Sequence, residues 1–384
     1  MYKIVFLHSD SFEIGLHSHN KFLVKEMSST KFSKKVYWLP TRLSTENLFH
    51  QSYFSSLIED LKNDAYIIYS IASEPGKISW VDELLNPLIK VFKENNISLK
   101  KLIVLSATPA SQYGKCEYKY MFFNDQLYDT IDRYKTSGFV AQPKNLLKHY
   151  LCLSRKDTLA RRYVNYLIHT KKLYDKGIVS HGRGFSPIDP DISDLEKARS
   201  DYDFFHTYEL NVKDYLKYGF KKHFLDTENM SKLSEYQILY MYNFDIHFNH
   251  SKSIPLEIVN ETNAFGHDSL YITEKMLKAI LARNIFLVVG NPHILSFLQQ
   301  LGFKTFSHLF DESYDAELDN VKRTNIVFKN LEDFCKIPMT DCKKIYDENA
   351  ELLDYNYNHL LNKSWNFSIR NRIEKYITKA SCND

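Results

Sequence analysis

The chain has few features that could staple it, address it or name it at a glance. Its five cysteines, Cys116, Cys152, Cys335, Cys342 and Cys382, are scattered and odd in number among 384 residues. No Cys/His grouping has the spacing of a zinc site, so neither a metal framework nor a disulfide framework is expected, and a reducing compartment is the default. No apolar run is long enough to cross a bilayer. The opening Met1-Tyr-Lys-Ile-Val-Phe-Leu-His8 is too short in apolar length to read as a signal peptide. A cytoplasmic protein with no membrane span is therefore expected. The formal net charge of +3 is too small to argue for nucleic-acid binding by itself. The dinucleotide Gly-x-Gly-x-x-Gly fingerprint, the Walker-type loop and the serine-hydrolase elbow are all missing.

What is present is a large supply of core material. Hydrophobic residues make up 44% and charged residues 25% of the chain, with 27 Tyr and 26 Phe, which marks a globular protein with enough length for two domains. The N-terminal part alternates short apolar runs (residues 3–8, 36–39, 65–70 and 102–107) with helical periods (20–28, 47–61 and 80–94). Nearly continuous apolar strands between such helices predict a parallel sheet covered on both faces. A second alternation begins at residue 150. It has strands at 150–154, 177–180, 256–259 and 285–290, a helix from Asp157 to about residue 170, and another opening at the N-cap Thr273. The alternation of Phe244, Ile246 and Phe248 against Asp245 and His247 predicts a half-buried strand over 244–249. Asn291-Pro292 reads as a cap and first-turn proline for a helix stopped by Gly302, with a short strand at 304–306 to follow.

One stretch stands out. Tyr271-Ile-Thr-Glu-Lys275 sets a carboxylate and an ammonium in a first helical turn. The helix dipole favours Glu274 and opposes Lys275. A bound anion at the free N–H groups would resolve the conflict. Asn260 and Glu261 end one predicted strand, Tyr271, Thr273, Glu274 and Lys275 open the helix after it, and Gly290 and Asn291 end the next strand, so the set shares one sheet edge. A cluster of Arg155, Lys156, Arg161, Arg162, Lys171, Lys172 and Lys176 reads either as a solvated helix face or as a phosphate-facing patch.

The run Pro255-Leu-Glu-Ile-Val-Asn-Glu-Thr262, then Tyr271–Lys275, then Ile285-Phe-Leu-Val-Val-Gly290 resembles the donor-binding half of GT-B glycosyltransferases. It is most similar to the α-1,3-fucosyltransferase-like families. It also resembles glycosyltransferase-type proteins of tailed phages, through Gly290-Asn-Pro292 and Leu301-Gly-Phe-Lys-Thr-Phe306. The similarity is good over about 255–315, weaker over 150–182, and only architectural before residue 150.

The resemblance implies an α/β, GT-B-like protein of two Rossmann-like domains facing an interdomain cleft. Residues 1–145 would form the acceptor side and 146–363 the nucleotide-sugar side, with a helix over 364–384 that can cross back to the first domain. It implies that Glu274 holds the donor ribose, Lys275 the diphosphate, and that one of Arg155, Arg161 or Arg162 neutralises the leaving group, with Ser180 joining the donor set. Transfer would be inverting and metal-independent, with no cofactor beyond the nucleotide sugar as co-substrate. The general base would come from the first domain. Glu74 is favoured, just past a buried strand and before Pro75; Asp10 and His19 are alternatives, as are His8 and His17. Asp189-Pro-Asp191 lies in a proline-broken segment with no adequate strand before it, unlike a metal-binding Asp-x-Asp. The acceptor stays open among glycans, small molecules and hydroxymethylated pyrimidines of phage DNA, the location then being the host cytoplasm. A non-catalytic binding protein on a degenerate transferase scaffold is the other reading.

Overall fold

The computed structural model describes residues 2–3, 5–6, 31–40, 54–71, 78–108, 117–137, 139, 144–154, 158–181, 201, 204, 207–219, 221, 243–261, 264–265, 270–362 and 369–380. Among these lie the strands β1 (Tyr2–Lys3), β2 (Val5–Phe6), β3 (Lys31–Phe32), β4 (Val36–Pro40), β5 (Tyr66–Ile71), β6 (Leu102–Ser106), β7 (Lys119–Phe122), β8 (Tyr150–Ser154), β9 (Gly177–His181), β10 (Leu256–Asn260) and β11 (Ile285–Val289). The helices are α1 (Phe54–Asn63), α2 (Ile78–Glu94), α3 (Asp125–Thr136), α4 (Leu159–Thr170), α5 (Val212–Gly219), α6 (Asn243–Ser251), α7 (Glu274–Leu281), α8 (Ile294–Gln300), α9 (Asn320–Cys335), α10 (Met339–Glu348), α11 (Ala350–Asn362) and α12 (Ile369–Ala380). The chain is α/β and divides into two compact units. One holds Met1–Arg133, Asp268–Tyr271 and Lys363–Asp384, the other Tyr134–His267 and Ile272–Asn362. No helix among the described residues is long and apolar enough to cross a membrane.

The first unit carries a five-stranded parallel sheet in the order β2-β4-β5-β6-β7. Each strand adds beside its predecessor, and right-handed crossovers then put every connection on the same face. Accordingly α1 and α2 share one core with that face: Leu57, Leu61, Leu88 and Phe92 pack with Tyr37, Leu39, Ile67, Tyr69 and Val104. The other face, with Trp38, Ile68, Ile103 and Leu105, is equally buried and needs cover from elsewhere in the chain. The last helix, α12, contributes to it. Ile369, Ile373 and Ile377 fall on one stripe and are fully buried, each burial stabilising by roughly 2 kcal/mol before entropy is counted. Tyr376 meets Tyr66 edge-on at 6.5 Å, and its hydroxyl donates to the Lys100 carbonyl at 2.7 Å. Arg372 donates to the Phe122 carbonyl at 2.8 Å.

The second unit has a four-stranded parallel sheet in the order β11-β10-β8-β9. Here the order reverses. From β8 the chain first goes outward to β9, then returns past β8 to β10 and β11. Every residue of the central strand β10 is buried, and so is every residue of the edge strand β11, since parallel strands are covered on both faces.

Three local expectations are corrected in this unit. Residues 244–249 are helical, within α6, because Phe244, His247, Phe248 and Ser251 are buried at a spacing of three and four rather than two. Helix α8 starts after His293, which is left-handed (φ 67°), and not at Asn291-Pro292. Its first N–H groups, Leu295 and Ser296, donate to the Asp315 carboxylate at 2.7 and 3.0 Å. Residues 304–306 form no strand. Lys304 exchanges both backbone bonds with the Asn356 amide at 2.8 Å each, and the ladder has no second rung. Gly302 does stand at the C′ position of α8 with φ 91°, a conformation that favours glycine.

Candidate functional site

The strand reversal in the second unit falls between β8 and β10. A crevice opens at such a point beyond the carboxyl ends of the strands, since the connections leave to opposite sides. The two strands end there at Ser154 and Asn260, which are 2% and 1% exposed. The Asn260 Nδ2 donates to Ser154 Oγ at a long 3.4 Å. Its Oδ1 is buried with no partner among the described residues. Flipping the amide would exchange the roles of the two ends and still leave one of them unsatisfied. A buried unpaired amide end costs about 1–3 kcal/mol, so this one works against the stability of the fold.

Two helices start at this edge. Helix α4 follows β8, and its N-cap Thr158 is extended but closes no side-chain cap bond. The Thr158 Oγ1 is likewise buried without a partner among the described residues. Arg161, in the first turn, is 2% exposed, and its positive charge reaches the Cys152 thiol on β8. Helix α7, by contrast, has a side-chain cap. Thr273 Oγ1 accepts the Lys275 N–H at 3.2 Å. The same hydroxyl donates to the Glu261 carboxylate, and the Thr273 N–H donates to Glu261 Oε1 at 3.1 Å. Glu261 in turn donates its own N–H to the Val289 carbonyl at 2.9 Å. Glu261 thus ties the end of β10 to β11 and to the start of α7. Burial raises its pKa against the pull of Lys275 and Thr273.

Lys275 Nζ lies 3.2 Å from both Thr273 Oγ1 and Glu274 Oε1. The lysine that looked uncompensated in sequence is therefore balanced by the Glu274 carboxylate within its own turn, and a bound anion is not needed to explain it. Glu274 is 42% exposed at its side chain. Burial pulls its pKa upward, but the ammonium groups of Lys275 and Lys278 outweigh it and bring the carboxyl down to about 2. The result at neutral pH is an ionised, reachable carboxylate at the mouth of the edge, flanked by a lysine.

The remaining residues expected at the site divide clearly. Arg162 is committed to the interior. Its Nε and second terminal nitrogen donate to the two Asp201 oxygens at 2.7 and 2.8 Å, with both residues under 5% exposed. The Tyr215 hydroxyl completes the Asp201 shell at 3.1 Å. Ser180 is half-buried on β9, opposite Leu153. Tyr271 and Asn291 are buried, at 5% and 6%. At Gly290 a Cβ would stand 3.0 Å from the Ile294 Cδ1 and 3.2 Å from the Val288 Cγ1, a tight fit against side chains only. Glu74, Asp10, His19, His8, His17, Arg155 and the Asp189-Pro-Asp191 segment lie outside the described residues.

Two residues not singled out in the sequence hold the edge together. Arg323 is 2% exposed and spends its guanidinium on carbonyls: Gly290 and Ala264 at 2.9 Å, Glu317 at 2.9 Å and Leu318 at 3.2 Å. It fastens the loops after β10 and β11 to α9. Asp201 anchors α4 through Arg162. Neither is legible locally, because the contacts that tie the edge together run to Arg162, 39 residues from Asp201, and to the distant backbone carbonyls of Gly290 and Ala264 from Arg323.

At the opposite end of β10 lies a second buried polar group. Glu257 accepts from His247 at 2.9 Å and from Asn284 at 2.7 Å. Lys144 Nζ donates to the Ser251 and Ile254 carbonyls at 2.9 and 3.1 Å and also bonds Asn284. Burial brings the Lys144 pKa down to about 7 and lowers that of His247. This cluster closes the C-terminus of α6 against the sheet. The described cysteines are no nucleophiles: burial pushes Cys152 and Cys335 up to about 12 and Cys342 to about 11. Among the described residues no cluster of His, Cys, Asp and Glu is arranged to hold a metal ion.

The assembled edge offers two helix N-termini, an unsatisfied amide, an ionised carboxylate and a lysine. That combination suits an anionic ligand carrying hydroxyl groups. Comparison of the chain with protein-family models, with curated proteins and with solved structures returns no match.

Proposed function

We propose that the second unit binds a nucleoside diphosphate sugar at the β8–β10 edge, and that the chain is a GT-B-type glycosyltransferase. The observation that carries this reading is the buried, unsatisfied amide of Asn260, set where the strand order reverses and beside the uncapped start of α4. A parallel sheet binds nucleotides at such a place because backbone N–H groups and helix dipoles converge there. In this reading the diphosphate takes the N-terminus of α4 and the Asn260 amide. Lys275 turns from its contacts within α7 to the same phosphates. Glu274, already ionised, accepts the ribose hydroxyls. Arg161 adds buried positive charge behind the leaving group, where charge builds up as the glycosidic bond breaks. Arg162 is excluded from that role by its pairing with Asp201.

The acceptor hydroxyl would lose its proton to Glu74, Asp10 or His19, as expected from the sequence. The reaction would be inverting and need no metal.

The test is a thermal-shift panel of nucleotides and nucleotide sugars. A specific donor at a hundredfold excess over its Kd stabilises the folded state by about 2.7 kcal/mol. Lys275→Ala should lose that stabilisation and all sugar transfer while its unliganded melting temperature stays within a few degrees of wild type. If no nucleotide shifts the wild-type melt, or if Lys275→Ala turns over donor at the wild-type rate, the reading fails. Donor binding without hydrolysis or transfer would instead favour a recognition protein on the same scaffold.

A further inference from the structure

Helix α5 has one face buried and one face with no cover among the described residues. Asn211 caps it by accepting the Asp214 N–H at 3.2 Å. Tyr215 and Gly219 pack against α4, where Tyr215 lies 5.7 Å from Tyr166 and the Gly219 Cα approaches the Arg162 carbonyl. Asn165 on α4 donates to the carbonyls of Tyr218, Gly219 and Lys221 at 2.6, 3.3 and 2.9 Å, closing the far end. The outward face is left with Val212, Lys213, Leu216 and Lys217. Val212 and Leu216 are 39% and 45% exposed, two of the few large apolar side chains that reach solvent.

A stack of three rings joins this face to the loop after α4. His169 lies between Tyr174, at 4.9 Å and 18°, and Tyr218, at 5.0 Å and 14°. Lys221 covers Tyr174 at 5.7 Å and Lys217 covers Tyr218 at 4.8 Å. Burial and the Lys221 charge hold the His169 pKa down to about 4, so the ring is neutral and stacks without repulsion. Lys172 and Lys176 stand on the same loop. Lys171 is paired with Glu332 at 2.7 Å. No described carboxylate lies within ion-pair distance of Lys172, Lys176, Lys213, Lys217 or Lys221. Asp175 and Asp214 are the acidic residues on these elements.

From the geometry we infer that this face docks on an anionic lipid surface. Five lysines without a described carboxylate partner supply attraction to negative headgroups, and two exposed aliphatic side chains on α5, next to Lys213 and Lys217 in sequence, supply insertion. A nucleic acid would use the lysines equally well but has no use for Val212 and Leu216. Nor could its bases stack on the aromatic rings, whose faces are taken by one another and by lysines. The inference is independent of the proposed sugar transfer, because none of these side chains belongs to the β8–β10 edge.

Flotation of the full chain with vesicles tests it. One set is phosphatidylcholine alone, the other a two-to-one mixture of phosphatidylcholine and phosphatidylglycerol. The chain should float with the anionic set only, and less so as salt is raised. The double variant Lys213→Ala/Lys217→Ala should weaken binding about thirtyfold, at roughly fivefold per lysine. Leu216→Gln should weaken it about tenfold through lost insertion. Both variants should keep the wild-type melting temperature, since the altered side chains are exposed. Failure to float on anionic vesicles at low salt, or flotation undiminished in either variant, overturns the inference. So does duplex DNA binding that these lysine substitutions abolish while vesicles stay unbound; that outcome would assign the face to nucleic acid.

Discussion

Replacing Asn260 by leucine sets stability against function in one residue. Leucine is close to asparagine in shape and the site is 1% exposed. The substitution removes an amide end that has no partner among the described residues, relieving about 1–3 kcal/mol. It adds apolar burial of roughly 1.5–2 kcal/mol. Against this stands the loss of one long bond to Ser154 at 3.4 Å, worth about 0.5–1 kcal/mol at most. Ser154 keeps a second neighbour in the Cys152 thiol. The balance predicts a variant more stable than wild type by about 1–3 kcal/mol, the sum being damped by imperfect packing of the branched side chain. Urea unfolding followed by tyrosine fluorescence measures it as a raised midpoint at unchanged slope. The same variant should show no thermal shift with the nucleotide sugar that stabilises wild type. Two results would refute the reasoning. A clear loss of stability would mean that the amide is already satisfied in the unliganded fold. A stable variant that still binds the donor would mean that the strand reversal is not where the ligand sits.

Two further outcomes follow from the charged residues. Arg162→Met should destabilise the chain by about 3–5 kcal/mol, because it leaves the Asp201 carboxylate buried with only the Tyr215 hydroxyl; a variant that unfolds like wild type yet loses sugar transfer would instead place Arg162 on the ligand. Glu274 has its folded pKa held to about 2, below the ordinary 4.5, by Lys275 and Lys278 in spite of burial. A depressed carboxylate stabilises the fold above its unfolded pKa and loses that contribution as pH falls through the folded value, so Glu274→Gln should unfold more readily than wild type at neutral pH, with the gap closing between about pH 4.5 and 2 in an acid denaturation series; a gap independent of pH would show that the lysines do not act on it.

Much of the architecture could be read from period and run length. The apolar runs at 66–71, 102–106, 150–154, 256–260 and 285–289 are strands because a strand buried on both faces has no polar positions to alternate. The cap at Thr273 and the stop at Gly302 were legible because each acts on its own neighbours. Residues 244–249 were not: six residues of mixed polarity fit a period of two or of 3.6, and only the burial of His247 against Glu257 decided for the helix. The start of α8 was missed because its cap, Asp315, comes from 20 residues further on. Among the arginines, Arg161 and Arg162 are adjacent in sequence and equally basic. What separates them is Asp201, 39 residues away.

The sequence by itself thus determined the α/β class, the buried strands β5, β6, β8, β10 and β11 and the helix start at Thr273-Glu274-Lys275, since these depend on interactions within a few residues. The tertiary structure decided three other things. It set the strand orders, consecutive in one unit and reversed in the other. It sent α12 back onto the first sheet. It turned Lys275 from an unexplained cation into one partner of a compensated turn, and left one end of the Asn260 amide buried with no partner among the described residues. The physical reason is the same in each case: strand order, the covering of a second sheet face and the satisfaction of a buried amide are long-range conditions, and no local window of sequence contains both partners.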